Sequence, residues 1–290
     1  MTEPLKSFIK ALENRDSDER RNIIISELEK TGCPYRVQEY PFKTGEEHGH
    51  NIIVTLGTSD EKIIIGAHYD TAKGSAGAND NGSGVSVLMG LTRFIAENKP
   101  RFNHTIEAVF FDHEETPESG AGYYVENSPI RDIIGMYNLD TCGMGDTIVF
   151  DDKGKPDSTL VQSVKDALLR HRYPYSLMPE LPASDERKFE DAGIPNIQIA
   201  AITGKDLPIV SKLVSAQKQL RAKISEGTMT PHEADVAVKE ILGTDSLPKL
   251  LQVMHTKDDL AVHLSEETLR MALNVVLYAV SLYDEAQSKP

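Results

Sequence analysis

Lys62-Ile63-Ile64-Ile65-Gly66-Ala67-His68-Tyr69-Asp70 runs from an unbroken apolar stretch into an imidazole and a carboxylate. A continuous apolar run without polar alternation is the habit of a strand buried on both faces, inside a sheet covered by helices. His68 then stands just past the carboxyl end of that strand, where open α/β sheets bind their ligands. The same arrangement recurs downstream, with Ile106 to Phe111 followed by Glu114 and Glu115, and Met136 to Leu139 closed by Asp140. Three strand ends carrying metal-binding side chains should meet on one edge of the sheet.

The remaining periodicity fits the same architecture. Leu5 to Leu12 and Asn22 to Leu28 space their apolar residues as helices, with Asp16 and Glu19 set as a capping pair before the second. Tyr35 to Tyr40, Asn51 to Leu56, Thr105 to Phe111 and Asn196 to Ala201 read as strands. Val85 to Ile95, after Gly82-Ser83-Gly84, and Glu266 to Leu282 return to helical spacing. The fold expected is α/β, a mixed and mostly parallel β-sheet sandwiched by helices. A chain of 290 residues with 39% hydrophobic content can bury one large core, so residues 1–290 are read as a single domain. Within it, residues 204–253 form a helical insertion rich in Lys, Glu, Leu and Ala. Gly227 breaks it, and Thr230, Pro231 and Glu233 supply a second capping box. Such an insertion could serve as a lid, restrict access to short peptides, offer a surface for oligomerisation, or be a surface hairpin with no part in the chemistry.

Composition narrows the partners. A formal net charge of −14 opposes nucleic acid and anionic membrane surfaces, which leaves small or peptide substrates. Met-Thr-Glu-Pro-Leu-Lys at the start lacks the apolar core of a signal peptide, and no stretch reaches the roughly 18 apolar residues of a membrane span. A soluble, cytoplasmic protein is expected. Cys33 and Cys142 are too few for a disulfide framework and are read as reduced structural thiols.

His68, Asp80, Glu115, Asp140 and His255 offer two imidazoles and three carboxylates, with the spare carboxylate Glu114 beside one of them. Zinc takes such donors, and two ions about 3.5–4 Å apart can share a carboxylate. The segments that carry these residues are Gly66-Ala67-His68-Tyr69-Asp70-Thr71, Asn79-Asp80-Asn81-Gly82-Ser83-Gly84, Phe110-Phe111-Asp112-His113-Glu114-Glu115, Asn138-Leu139-Asp140 and Met254-His255-Thr256. In this order and spacing they resemble the co-catalytic zinc aminopeptidase family, which also contains the glutaminyl cyclases. The resemblance covers roughly residues 50–285, and Ser184-Asp185, Phe189 and Ala192-Gly193-Ile194-Pro195 extend it.

That resemblance implies two zinc ions bridged by Asp80, one completed by Glu115 and His255 and the other by His68 and Asp140. Manganese or cobalt would suit the same donors. Asp70, two residues after His68, is suited to fix the imidazole tautomer. Glu114, whose side chain diverges from that of its neighbour, is the expected general base. The implied reaction is release of N-terminal residues from peptides with a free N-terminus.

Two departures bear on the substrate pocket. Thr116-Pro117-Glu118-Ser119 replaces the family's glycine after the paired glutamates, and Glu186 replaces the histidine after Ser-Asp. Glu186 could favour a basic substrate side chain or pair with Arg187 or Lys188. Other polar residues are read as peripheral: His48 and His50 in a polar turn, His113 turned away from the site, Cys142 structural, and Asp258 and Asp259 as supports for the His255 loop. The competing functions are a glutaminyl cyclase-like aminoacyltransferase, a dipeptide or acylamino-acid hydrolase, and an inactive binding module. The chain has no tryptophan of the kind that lines cyclase pockets.

Overall fold

Lys62–His68 (β3) lies at the centre of an eight-stranded sheet and is buried along almost its whole length. The computed structural model describes residues 4–42, 47–230, 233, 237, 240 and 247–288. The other strands are β1 (Tyr35–Pro41), β2 (His48–Leu56), β4 (Thr105–Phe111), β5 (Ile133–Leu139), β6 (Thr147–Asp151), β7 (Tyr175–Met178) and β8 (Asn196–Ile202). They are ordered β1-β2-β4-β3-β5-β8-β6-β7. β3 runs parallel to β4 and β5, β5 to β8, and β6 to β7, whereas β1–β2, β2–β4 and β6–β8 are antiparallel. The sheet is therefore mixed with a parallel centre, as the apolar runs predict.

Period two along the strands assigns side chains to opposite layers. Ile63, Ile65 and Ala67 join the large core on one face with Ile106, Ala108, Phe110, Ile197 and Ile199. Ile64, Val109 and Phe111 point into a smaller cluster on the other face. The large core is closed by the helices α1 (Leu5–Leu12), α2 (Ser17–Thr31), α3 (Gly82–Asn98), α5 (Thr159–His171) and α9 (Glu266–Gln287). The opposite face is covered by α4 (Gly120–Glu126) and α6 (Glu186–Asp191), which contribute Ala121, Tyr124 and Phe189. α2 starts where the sequence places its cap. Asp16 accepts from Glu19 N at 2.8 Å while Glu19 accepts from Asp16 N at 3.3 Å, a reciprocal pair that contributes about 1 kcal/mol.

The connections position the site. β3 leads through α3 to β4 on one side, and β4 returns through α4 to β5 on the other, so the chain switches direction across β3. A crevice opens at the carboxyl ends of such strands. The loops after β3, β4 and β5 all reach it.

One expectation needs correction. His48 and His50 lie on β2 instead of in a turn, paired across from Pro41 and Glu39. His48 Nδ1 sits 2.5 Å from Glu39 Oε1, and Arg21 contacts His50 Nδ1 at 2.9 Å. The turn reading failed because two Gly-separated histidines carry no apolar alternation, while the ladder with β1 holds them extended.

Residues 204–253 include α7 (Leu207–Ser225) and α8 (Lys249–Val253). Thr230 and Glu233 form the expected reciprocal bonds, 2.8 Å from Thr230 N to Glu233 Oε2 and 3.3 Å from Glu233 N to Thr230 Oγ1. Pro231 lies outside the described residues. In α7, Val210 and Val214 pack with Val149, Ala200 and Ile202 against the sheet. Among the described residues no helix is long and apolar enough to cross a membrane.

Candidate metal centre

His68, at the end of β3, is fully buried, and its Nε2 lies 3.3 Å from Asp80 Oδ1 and 3.8 Å from Asp140 Oδ1. His255 Nε2 lies 3.0 Å from Asp80 Oδ2 and 3.3 Å from Glu115 Oε1. The five residues thus form two triads, His68–Asp80–Asp140 and Asp80–Glu115–His255, in each of which the donor atoms lie within 4.8 Å of one another. Asp80 turns one carboxylate oxygen to each triad. All five ligand positions read from the sequence converge.

The loops that deliver these groups are held by their own side chains. Asn81 caps α3 by accepting from Gly84 N at 3.0 Å, and its Nδ2 donates to Leu139 O at 2.8 Å, which ties the Asp80 loop to the end of β5. A Cβ at Gly84 would fall 2.4 Å from both Asn81 Oδ1 and Leu139 O, so only glycine permits this approach. Asp70 contacts His68 Nδ1 at 3.3 Å and accepts from Glu114 N and Glu115 N, each at 3.0 Å. One carboxylate therefore orients an imidazole and the loop of paired glutamates together.

Asp259 does more than its sequence position suggests. Its carboxylate accepts from Asn79 N at 2.9 Å and Asp80 N at 3.0 Å. It therefore holds the Asp80 loop, not only the His255 segment in which it lies. Asp258 is exposed.

Electrostatics suit cations. Burial disfavours charge on His68, yet Asp140, Asp70 and Asp80 raise its pKa well above the ordinary value. The Asp80 and Glu115 carboxylates push His255 up to about 10. Asp140 Oδ1 is buried without a hydrogen-bond partner, an acceptor that a cation would satisfy. The nitrogen and oxygen donors, their two-fold grouping and this orphaned oxygen all fit a pair of borderline divalent ions.

Glu114 differs from the ligands. Burial, reinforced by the charges of Asp140, Glu115 and Asp70 against that of His68, pushes its pKa up to about 8. Burial also opposes the charge on Asp70, but the His68 contact and the two backbone N–H bonds hold it below the usual carboxylate range.

Sequence reasoning gives Asp185 no role. It is buried with both carboxylate oxygens unpartnered, and burial plus the neighbouring charges of Glu114, Asp70 and Asp140 raise its pKa well above normal. A Ser-Asp pair before a helix reads as an ordinary cap, which hides a buried acid.

Glu186 needs correction: it pairs with neither Arg187 nor Lys188, and the cavity beside Asp80 and Glu115 is lined by other residues. Its side chain is buried under β5, where Asn138 Nδ2 donates to it at 3.0 Å and Lys153 Nζ approaches to 3.5 Å. Burial pushes its pKa up to about 7. The folded state therefore holds a proton that the unfolded chain releases, so this stabilisation is full below about pH 4.5 and fades as pH rises through 7. Glu186→Gln should gain on the wild type by on the order of 2–3 kcal/mol between pH 5 and 8 in urea unfolding. A constant difference across that range would show that Glu186 is charged throughout.

His113 faces away from the triads, with its ring edge-on to Phe42 at 4.6 Å and Nδ1 3.1 Å from Asp112 Oδ1. Cys142 is buried and free, with burial pushing its thiol pKa up.

Comparison with known proteins agrees with this geometry. Residues 51–280 match peptidase family M28. The putative endoplasmic reticulum metallopeptidase 1 of Schizosaccharomyces pombe is 30% identical over 191 residues, covering 61% of this chain and 22% of that protein. The chain thus spans about a fifth of the length of this relative. Among solved structures, a Zn-dependent exopeptidase from Parabacteroides distasonis superposes with a TM-score of 0.67 at 17% identity, covering 96% of this chain and 97% of that one. Porphyromonas gingivalis glutaminyl cyclase gives the same TM-score at 18% identity, covering 98% and 97%. These two likenesses share the fold, and the match over 51–280 takes in every residue of both triads. On that match the chain belongs to peptidase family M28.

Proposed function

We propose that this chain is a metal-dependent aminopeptidase that hydrolyses the N-terminal residue from peptides, with residues 1–290 as one catalytic domain and 204–253 as an insertion in it. The observation that carries the reading is the division of Asp80 between two triads, with Glu114 adjoining the ligand Glu115. His68, Asp80 and Asp140 would hold one zinc ion, and Asp80, Glu115 and His255 the other. Manganese or cobalt are the alternatives these donors accept. When bound, the two ions supply a water whose pKa falls to about 7 and a polarised scissile carbonyl.

Glu114 takes the proton from the attacking water and returns it to the leaving amine. Burial favours the protonated form of Glu114, so it can hold the proton taken from water until the leaving amine accepts it. Asp70 accepts from Nδ1 of His68, which leaves Nε2 as the ligand atom and fixes the ring plane.

A cavity of about 360 Å³ adjoins Asp80, Glu114, Glu115, Asp140 and His255. Ala200 and Ile202 of β8 line it on the sheet side, and Val210, Leu213 and Val214 of α7 line it opposite. These walls suit an apolar N-terminal side chain, and α7 gives the insertion a place in substrate binding. Free, buried Cys33 and Cys142 fit a reducing compartment such as the cytoplasm.

Paired peptides with free and N-acetylated termini test the reading. The zinc-loaded protein should release the first residue only from the free peptide. Equal cleavage of the acetylated peptide would make it an acylamino-acid hydrolase. Pyroglutamate formation from a glutaminyl peptide without hydrolysis would make it a cyclase.

A further inference from the structure

Arg20 is completely buried although it lies on the polar-looking helix α2. Its Nη1 donates to Tyr69 O at 3.2 Å, and its Nη2 to Ala76 O at 3.2 Å and Gly77 O at 2.8 Å. These carbonyls stand at the two ends of the segment that joins His68 and Asp70 to Asp80. Gly77 adopts φ +67°, and a Cβ there would fall 2.4 Å from Arg20 Nη2, so loop and guanidinium are fitted closely.

The same segment is tied to the other triad. Ala76 N donates to Thr256 O at 3.0 Å, next to His255, and Ala78 N to Asp259 O at 2.9 Å. Asn14 N, in the turn between α1 and α2, donates to Ala76 O at 2.9 Å. Arg20 thus braces from beneath the loop that Asp259 holds from the His255 side. Burial lowers its pKa to about 10, with the charges of Asp70, Asp259 and Asp80 opposing the fall, so it remains a cation among these acids at neutral pH.

We propose that Arg20 is a positioning residue for both metal-binding triads, so that the N-terminal helical pair, outside the family-matched residues 51–280, is a working part of the metal centre. The inference rests on the two-metal reading. Groups that orient metal ligands in this indirect way typically contribute about 10–100-fold to metal affinity. Without Arg20, three buried carbonyls lose a donor and three carboxylates lose a buried counter-charge.

The test is zinc affinity of the full chain, measured by competition with a chelating indicator, alongside thermal unfolding. Arg20→Leu should fold, because Ile24 and Leu28 of α2 remain docked in the main core. It should bind zinc about 10–100-fold more weakly. Arg20→Lys keeps the charge with a compact head and should recover part of the loss. Leu168→Ala, in the core far along the chain from the ligands, should lower the melting temperature and leave zinc affinity unchanged.

Wild-type zinc affinity in folded Arg20→Leu would overturn the proposal and make Arg20 a packing residue. If Arg20→Leu does not fold, Arg20→Lys decides, with unchanged affinity overturning the proposal and weakened affinity supporting it. Failure of the wild type to bind zinc at all would overturn the two-metal reading as well, which separates the two claims.

Discussion

Glu114→Gln is expected to lower kcat by about 10²- to 10⁴-fold, the range ascribed to a general base, while zinc binding stays at the wild-type level. Glutamine keeps the size and shape of the side chain. The backbone N–H of residue 114 still reaches Asp70 Oδ1, and Glu115, which faces His255, is untouched. What the substitution removes is a carboxylate able to carry a proton between water and leaving amine. The Michaelis constant should change little, since Glu114 is assigned no ground-state contact. Near wild-type turnover in the zinc-loaded variant would move the base to another buried acid, of which Asp185, buried and raised in pKa by the charges of Glu114, Asp70 and Asp140, is a candidate.

Asp80→Ala is expected to affect both sites at once. Each triad shares this residue, so the variant leaves His68 with Asp140 and Glu115 with His255, two donors apiece. Zinc affinity should fall by about two orders of magnitude or more at both positions, and activity should fall to background. Zinc should also cease to raise the melting temperature, because a ligand stabilises only through its affinity for the folded state. Loss confined to one site would mean that Asp80 serves a single ion. Asp259 anchors the backbone N–H of residue 80, so the loop itself should survive the change.

Four of the five candidate metal donors were legible in the sequence because each stands at a structurally marked place; His255 has no such mark and was read through the resemblance. His68, Glu115 and Asp140 follow apolar runs that could only be buried strands, and Asp80 precedes a glycine-rich helix start. Strand direction then brings three of the loops to one edge. Asp70 was legible for a similar reason, two residues beyond His68 on the same strand exit.

Arg20 was not legible. It lies in a helix rich in Asp, Glu and Arg, where charged residues ordinarily face water, and only the three-dimensional meeting of α2 with residues 69–77 makes it internal. Glu186 misled in the same way. Its sequence neighbours Arg187 and Lys188 offered obvious partners, but the helix directs it inward, to Asn138 and Lys153. Asp259 was recognised as a support, yet its hydrogen bonds run to a loop 180 and 179 residues away. Side chains whose partners are distant in sequence leave no periodic mark.

The insertion shows a further limit. Its helical character and its capping box at Thr230 and Glu233 follow from local chemistry. That α7 would pack Val210 and Val214 against the sheet beside the cavity depends on where the loop after β8 leads it, which local spacing does not encode.

Zinc titration of the metal-stripped wild type, with amino acid release followed at each step, decides whether a pair of cations shares Asp80. Two equivalents should bind per chain, with release absent without metal and fully restored when the sites are filled. Saturation at one equivalent, or release that persists after metal is stripped, would contradict this reading.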